Sequence, residues 1–491
     1  MLSFQEFSDL ALKGNLVPVT EKLCADMETP VTVLARLKDD ENVFLLESVE
    51  AGERFGRYSF IGLNPRGVFT VENGKAFYAP ADGKKRELPA PDGPLMAMRT
   101  LMQGLTPALS PDMPAFIGGA VGAIGYEAVG EFETLPAPKP GLSGPTSSFM
   151  IADDLIIFDN FRHTLMLSAA VRTDEFETLQ AAYNEGVRRV GVMKEKLARP
   201  AFPATPESHP VPELRSNCTE TAFSEMVEKA RAQIRDGNII QVVLSQKFSG
   251  ETDIPPLTLY RALRLINPSP YTFFMKMGKL ILISSSPETL CRTEAGGKAL
   301  LRPIAGTRPR GQTPEEDAAL EKSLLADPKE RAEHLMLVDL ARNDLGRIAA
   351  PGTVQVSDFM SIQRFSHVMH IVSTVEGELG EGRDAFDLVR SAFPAGTLSG
   401  APKVRAMEII HALEPSPRGM YGGAAGYFGY DGAMDLAITI RTIVLDGRHM
   451  EIQSGAGIVH DSVPHAEYLE TCNKAAAMMK AIELAARGLA L

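Results

Sequence analysis

Two pairs of glutamates with the same spacing give the clearest chemical signal in this sequence. Glu330 and Glu333 form the first pair, and Glu467 and Glu470 form the second. Residues three apart on a helix lie on one face, so each pair presents two carboxylates in the same direction. If two such faces meet, four negative charges share a small volume, which requires proton uptake or a bound cation. Mg²⁺ prefers oxygen ligands, some of them through water, so these glutamates predict a magnesium site.

A structural role is the alternative for each pair taken singly. Asp327 and Pro328 stand just before Glu330, as in a capped helix start. Pro464 similarly precedes Glu467. Acidic side chains in a first turn are favoured by the helix dipole without any metal. The joint occurrence of both pairs with the motifs described below favours the metal site.

Composition excludes several classes of function. The net charge of −12 argues against a nucleic-acid partner, because no basic run offsets it. The four cysteines have no CxxC spacing, so neither a zinc site nor a disulfide framework is indicated. Residues 1–20 lack the apolar core of a signal peptide, and no apolar run is long enough to span a membrane. We expect a cytoplasmic protein that does not associate with membranes.

Proline-rich residues 199–212 predict a linker between two parts of the chain. The predicted division is an N-terminal domain at 1–200, a linker at 201–218 and a C-terminal domain at 219–491. Two glycine-rich segments, 118–127 and 422–431, resemble each other, and each precedes a predicted hairpin. This echo predicts two related sheets packed face to face. The alternative is an independent use of glycine in tight β-structure.

Turn signals and periodicity predict the elements. Asn73-Gly74 predicts a hairpin, and residues 422–459 predict a meander whose central strand runs from Ala433 to Leu445. Helices are predicted at 219–236, 313–326, 328–342, 384–393, 401–413 and 464–487. Because strands and helices do not alternate regularly, the predicted fold class is α+β: two packed, mainly antiparallel sheets with helices outside. A phosphate-binding loop and a dinucleotide glycine motif are both missing.

Four motifs together resemble the chorismate-utilising enzymes. They are Ser286-Pro287-Glu288, the segment 302–311 with Pro-Ile-Ala-Gly-Thr, and the two glutamate motifs. The resemblance covers 219 to about 477 of the catalytic part and is most specific for the subfamily of anthranilate synthase large subunits. Ala305 stands where aminodeoxychorismate synthases carry a nucleophilic lysine, and Gln241 where isochorismate and salicylate synthases carry a lysine that activates water. Alanine and glutamine cannot perform those roles.

The resemblance also implies a feedback pocket for L-tryptophan with two sides. The matching residues are Leu46, Glu47 and Ser48 on one side and Pro270, Tyr271 and Thr272 on the other. Thr272 departs from the family, which often has methionine at this position. The alternative interpretation is a strand end for the first segment and a turn for the second.

Roles for the active-site residues follow from the same resemblance. It implies that Glu333 and Glu470 bind Mg²⁺ directly, while Glu330 and Glu467 hold its waters. Glu288 matches the general acid, and His370 matches the histidine linked to the elimination step. Thr397 is grouped with these catalytic residues. The other matching positions hold or line the substrate: Gly306, Thr307, Tyr421, Arg441, Gly455, Gly457 and Lys474.

The implied reaction is the Mg²⁺-dependent lyase step that converts chorismate and ammonia to anthranilate and pyruvate, the first step of tryptophan biosynthesis. No cysteine lies in a Gly-x-Cys-x-Gly motif, so the resemblance implies a separate glutamine amidotransferase subunit, in a heterotetramer, as the ammonia source. The alternatives are aminodeoxychorismate synthase component I and a catalytically silent amino-acid-binding regulator. A metal-dependent phosphoryl transferase is disfavoured because the phosphate-cradling loop is missing.

Overall fold

A computed structural model describes residues 1–48, 56–109, 113–114, 116–142, 144–200, 206–365 and 368–490. Residues 201–205 of the predicted linker lie outside the described residues. The first strands are β1 Leu16–Cys24, β2 Asn42–Glu47, β3 Tyr58–Leu63, β4 Gly67–Glu72, β5 Lys75–Pro80, β6 Arg86–Glu87, β7 Gly119–Ile124, β8 Ser147–Ala152, β9 Asp154–Asp159, β10 Thr164–Arg172, β11 Arg215–Ser216 and β12 Gln241–Glu251. The later strands are β13 Tyr271–Met277, β14 Leu280–Ser286, β15 Thr289–Thr293, β16 Lys298–Leu301, β17 Ile304–Pro309, β18 Gln355–Arg364, β19 Val368–Glu378, β20 Gly400–Ala401, β21 Ala424–Gly429, β22 Met434–Ile438, β23 Thr442–Asp446 and β24 His449–Ile458.

The helices agree with the sequence prediction to within a few residues wherever one was predicted. They are α1 Phe4–Ala11, α2 Pro30–Arg36, α3 Arg99–Met102, α4 Leu179–Leu197, α5 Glu220–Arg235, α6 Pro256–Ile266, α7 Pro314–Ala326, α8 Pro328–Gly346, α9 Ala385–Ala392, α10 Lys403–Leu413 and α11 Pro464–Ala486. Asp327 caps α8 by accepting hydrogen bonds from the N–H groups of Lys329 and Glu330. In the described part of the chain, no helix has both the length and the apolarity to cross a membrane.

The strands form two 12-stranded sheets with antiparallel neighbours. In the first, the order is β1-β10-β9-β3-β2-β13-β14-β23-β24-β12-β11, and β20 also pairs with β12. In the second, the order is β17-β19-β16-β15-β22-β21-β7-β8-β4-β5-β6, and β18 also pairs with β19. Both sheets join the two halves of the chain, through β2 with β13 and through β7 with β21. The division at 201–218 stays a prediction.

A shared apolar cluster shows how the sheets pack. Phe44, Phe273 and Met275 of the first sheet are buried with Val121 and Met150 of the second. The α8 helix packs on β17 and β19, and α11 packs on β24, outside the sandwich. The predicted α+β class, with two packed antiparallel sheets and external helices, is therefore confirmed.

The echoed glycine-rich segments lie side by side, which corrects the prediction that they mark two separate sheets. Their strands β7 and β21 pair in one sheet, with Gly122 opposite Gly426. The hairpins that follow, β9–β10 and β23–β24, both belong to the other sheet. A Cβ at Gly122 would lie 2.0 Å from the carbonyl oxygen of Ser148, so glycine permits this close strand packing.

The predicted single strand from Ala433 to Leu445 was wrong. The chain leaves the second sheet after Ile438 and enters the first at Thr442. Arg441 lies at this crossing with a φ of 49°, a left-handed conformation that interrupts the strand. Because the apolar pattern continues through the crossing without proline or glycine, periodicity alone predicts one long strand.

Candidate active site

A cavity of about 600 Å³ lies between α8, α11 and the strands beneath them. Every residue predicted for catalysis, metal binding or substrate contact lines it: Glu288, Gly306, Thr307, Glu330, Glu333, His370, Thr397, Tyr421, Arg441, Gly455, Gly457, Glu467, Glu470 and Lys474. A larger cavity of about 890 Å³ contains none of them. Two lysines on the wall of that larger cavity are paired with acids, Lys196 with Asp40 and Lys247 with Glu451. Because it contains all of the predicted residues, the smaller cavity is the candidate active site.

The two glutamate pairs reach this cavity from helices far apart in the sequence. Glu330 of α8 is paired with Arg308 of β17: Arg308 Nη1 lies 3.0 Å from Glu330 Oε1, and its Nη2 lies 2.8 Å from a carboxylate oxygen of Asp327. On α11, Lys474 Nζ lies 2.8 Å from Glu470 Oε1. One glutamate of each pair thus has a cationic partner within contact distance.

The carboxylates repel one another across the two helices. Burial raises the pKa of Glu333, a hydrogen bond from Gln241 Nε2 opposes the rise, and repulsion from Glu330 and Glu470 adds to it. Burial also raises the pKa of Glu467, again with repulsion from Glu470. A cation placed among these oxygens would relieve the repulsion and favour the ionised forms.

The donor set fits a hard divalent cation, although the ligands are not gathered into a finished cage. Within the described residues, no three carboxylate, histidine or cysteine groups stand close enough to hold a metal on their own. Mg²⁺ keeps several waters and takes few carboxylates directly, so carboxylates that are not in contact with one another can still hold it.

Glu288 follows the end of β14 and lines the cavity floor. Thr397 Oγ1 donates a hydrogen bond of 3.0 Å to Glu288 Oε2. Burial raises the pKa of Glu288, and the Thr397 bond, with the charges of Arg441 and Lys474, opposes this rise. A carboxyl group with a raised pKa retains its proton to higher pH, as a general acid must.

His370 lies on β19 opposite Thr307 of β17. Its Nδ1 is 2.9 Å from the carbonyl oxygen of Gly306 and 3.1 Å from Thr307 Oγ1. A bond to the carbonyl requires the proton on Nδ1, which leaves the Nε2 lone pair available. Burial lowers the pKa of His370, so the ring is a neutral base near neutral pH.

Another part of the cavity wall is formed by two cationic side chains and two glycines. Arg441 Nη1 contacts Asn267 Oδ1 at 3.4 Å, and Lys474 Nζ donates to the carbonyl oxygen of Gly455 at 3.0 Å. A Cβ at Gly455 would lie 2.7 Å from the Tyr421 hydroxyl, and one at Gly457 would lie 2.6 Å from Gln241 Nε2. Glycine at both positions keeps this wall open, so an anion can approach the backbone.

The predicted tryptophan residues lie away from this cavity. Glu47 of β2 pairs with Thr272 of β13, so the two predicted sides are adjacent strands. Glu47 is buried and accepts hydrogen bonds of 2.5 Å from the Tyr260 hydroxyl and from Arg264 Nε. The Ser48 hydroxyl is buried without a hydrogen-bond partner in the described part of the chain.

Tyr271 and its neighbours connect the two regions. The Tyr271 hydroxyl donates to Asp435 Oδ1 at 2.9 Å and lies 2.8 Å from Thr289 Oγ1, beside Glu288. Leu46 and Pro270 flank these positions in the sequence. Sequence reasoning missed Tyr260, Arg264 and Asp435, because isolated polar residues inside apolar segments give no periodic signal.

A family model described as chorismate binding enzyme matches residues 41–480. The chain belongs to this family. Among similar members of the chorismate-binding family, anthranilate synthase component 1 of Acetivibrio thermocellus is 44% identical over 489 residues, which cover 98% of each chain. The protein of the same name from Acinetobacter calcoaceticus is 45% identical over 506 residues, with complete coverage of both chains. The crystal structure of anthranilate synthase component I from Streptococcus pneumoniae aligns with a TM-score of 0.77 at 35% identity, over 94% of this chain and 99% of that one.

Proposed function

We propose that this chain converts chorismate and ammonia to anthranilate and pyruvate, as the component I subunit of an anthranilate synthase. The observation that carries the proposal is the single cavity that contains Glu288, His370 and both glutamate pairs. Gln241 and Ala305 line the same cavity in place of the lysines of the sister activities. The names of the full-length relatives support the same activity.

The four glutamates would hold Mg²⁺, with Glu333 and Glu470 as direct ligands and Glu330 and Glu467 acting through water. Bound there, the ion would act as a Lewis acid on the ring carboxylate of chorismate. Arg441, Lys474 and the backbone N–H groups at Gly455 and Gly457 would bind the carboxylates of the dianion. Gly306, Thr307 and Tyr421 would complete the walls around the ring.

Side chains of this protein would carry out the proton transfers. Glu288, whose protonated form is favoured by burial, would give its proton to the C4 hydroxyl, which leaves as water while ammonia bonds to C2. Thr397 orients the Glu288 carboxyl throughout this step. Neutral His370 serves the second half-reaction, in which loss of the C2 proton and departure of the enolpyruvyl group as pyruvate give the aromatic ring.

Ammonia would come from a separate glutamine amidotransferase subunit, since none of the four cysteines has a nucleophile-elbow motif. The word "component" in the relatives' names supports a two-subunit enzyme. L-tryptophan would bind at the ends of β2 and β13, where Tyr271 and Thr289 offer a short route to Glu288. The four free cysteines suit a reducing compartment such as the cytoplasm.

The test is product identification with the purified chain, chorismate, Mg²⁺ and an ammonium salt. We expect the fluorescence of anthranilate and an equal amount of pyruvate, whereas aminodeoxychorismate synthase activity would give neither. Glu288→Gln, which cannot donate the proton, should lower kcat by at least about 100-fold, the usual size of general acid catalysis. Glu294→Gln makes the same chemical change on an exposed turn and should leave kcat unchanged. Full activity in Glu288→Gln would contradict the assignment.

A further inference from the structure

A buried ion pair, Arg418 with Glu414, lies next to residues that line the active-site cavity, although neither partner is among the described lining residues. Arg418 Nη2 lies 2.6 Å from Glu414 Oε1, and Arg418 Nε lies 2.9 Å from Glu414 Oε2. Their side chains are only 1% and 4% exposed. Removing two charges from water is costly, and apolar residues of similar size are often as stable, so stability alone is a weak reason for such a pair.

The Arg418 guanidinium joins three separate segments of the chain. Its Nη1 donates to the Leu398 carbonyl at 2.6 Å, and its Nη2 donates to the Val243 carbonyl of β12 at 2.8 Å. Its carbon centre lies 4.6 Å from the ring centroid of Tyr126 and 5.6 Å from that of Tyr421. A planar guanidinium presents donors in fixed directions, which a lysine ammonium cannot reproduce.

Glu414 fixes the other side of the same network. Its Oε1 accepts hydrogen bonds of 2.8 Å from both the backbone N–H and the hydroxyl of Ser245 on β12. Gln453 of β24 donates to that hydroxyl at 2.8 Å. Both carboxylate oxygens therefore have fixed partners, and the carboxylate in turn fixes the orientation of the Arg418 guanidinium.

Leu398 connects this hydrogen-bond network to Thr397 and, through it, to Glu288. It directly follows Thr397, whose hydroxyl donates to Glu288, and both residues belong to one short 3-10 turn, Gly396–Leu398. Holding the Leu398 carbonyl fixes the orientation of that turn and hence of the Thr397 hydroxyl. Tyr421, which lines the cavity, packs against the same guanidinium.

We propose that Arg418, oriented by Glu414, is a positioning residue that acts on catalysis through Thr397 by holding the Leu398 carbonyl. The role of Glu288 in this inference rests on the proposed function, whereas the dependence on Thr397 is measurable without it. Arg418 is not among the described residues that line the substrate cavity, and it reaches the site through Leu398 and Tyr421. Its effect should therefore appear in kcat rather than in KM for chorismate.

A double-mutant cycle on kcat tests the inference, with Arg418→Lys, Thr397→Val and the double variant assayed at saturating chorismate and ammonium. Arg418→Lys should lower kcat about tenfold in the wild-type background, the effect of losing one charged hydrogen bond. In the Thr397→Val background the same change should lower kcat by less than about twofold, because the group through which Arg418 acts is already gone. Additive losses, or an Arg418→Lys variant with wild-type kcat, would overturn the proposal.

Ser59→Ala is the matched control, because it removes a buried hydroxyl that bonds to Asn160 and belongs to no part of the Arg418 network. Its effect on kcat should be the same in both backgrounds, and non-additivity equal to that of Arg418→Lys would overturn the specific role of Leu398. If Arg418→Lys does not yield folded protein, Glu414→Gln takes its place in the same cycle. Retained activity in Glu288→Gln would defeat the proposed acid and leave the Arg418–Thr397 result interpretable.

Discussion

Glu288 and His370 share one cavity, and burial shifts their pKa values in opposite directions. Removal from water disfavours a charged carboxylate and a charged imidazolium alike, so the pKa of Glu288 rises and that of His370 falls. Burial therefore favours the protonated form of Glu288 and the neutral form of His370. An amination followed by an elimination needs this combination, with a proton given first and taken later.

The pH dependence of kcat should reveal the acid. If Glu288 is the general acid, as proposed, its protonated form is the active one, and kcat should fall as pH rises through its pKa, which burial raises. Thr397→Val removes a hydrogen bond that lowers the pKa, so the falling limb should move to higher pH. Steady-state rates with ammonium concentration corrected for its own ionisation provide the measurement. A limb that moves to lower pH would contradict the assignment.

Removing the imidazole should separate the two half-reactions. In His370→Ala, pyruvate release should slow about 100-fold, as for loss of a general base, while amination continues. The aminated intermediate should then accumulate and be visible by chromatography of quenched reactions. His449→Ala, on an exposed strand end, is the control and should show no build-up. An equal slowing of both steps in His370→Ala would count against this role.

At the scale of elements, the adjacent strands β2 and β13 carry the predicted tryptophan residues, and one of these, Tyr271, comes close to the proposed acid Glu288. The Tyr271 hydroxyl contacts Thr289, which follows Glu288 in the sequence. A ligand that moves Tyr271 can therefore disturb Glu288 without entering the cavity. If tryptophan binds there, as proposed, this contact would couple its site to Glu288.

Tyr271→Phe should weaken tryptophan inhibition. Loss of the hydroxyl removes the bonds to Asp435 and Thr289, so the tryptophan concentration for half-inhibition should rise about tenfold, a coupling of typical size. Initial rates at increasing tryptophan give the answer. Tyr183→Phe is the control, because the Tyr183 hydroxyl bonds only to the Leu2 carbonyl in the described structure. Tryptophan should inhibit this variant as strongly as it inhibits the wild type. Unchanged inhibition of Tyr271→Phe would exclude the route through Thr289.

Gly122 of β7, which lies opposite Gly426 of β21, should not tolerate a side chain. Gly122→Ala would place a Cβ 2.0 Å from the Ser148 carbonyl, so we expect a loss of about 2–4 kcal/mol in the free energy of unfolding, in the range of severe core substitutions. Gly191→Ala, in α4 with open space around it, should stabilise by about 0.5–1 kcal/mol. Urea denaturation of both variants measures the difference. Equal stabilities would mean that the strands can separate at little cost.

Local rules predicted the elements better than their assembly. The capped start at Asp327-Pro328 and the Asn73-Gly74 turn gave a correct helix start and a correct hairpin, because these signals are short-range. The crossing at Arg441 escaped prediction, since an apolar run gives no sign of changing sheets. The Arg418–Glu414 pair and the Gln241–Glu333 bond depend on long-range packing, which one sequence does not display.

At the scale of the whole molecule, two shared sheets bring α8 and α11 to one cavity. Each sheet contains strands from both halves of the chain, so the N-terminal half supports the scaffold on which the catalytic residues stand. Glu330 and Glu470 are distant in sequence, yet both raise the pKa of Glu333. The fold thereby creates a concentration of negative charge that neither helix has alone, and a divalent cation would neutralise it.

The most direct test is the rate of anthranilate formation by Glu470→Ala across a magnesium titration, beside wild type and Glu483→Ala. Glu483 is exposed on the same helix, so that control should follow the wild-type curve. If Glu470 is a direct magnesium ligand, Glu470→Ala should have less than about 1% of wild-type activity at every magnesium concentration, because the Lewis acid on the ring carboxylate would be lost. Substantial turnover in Glu470→Ala, with the same dependence on magnesium as wild type, would contradict it.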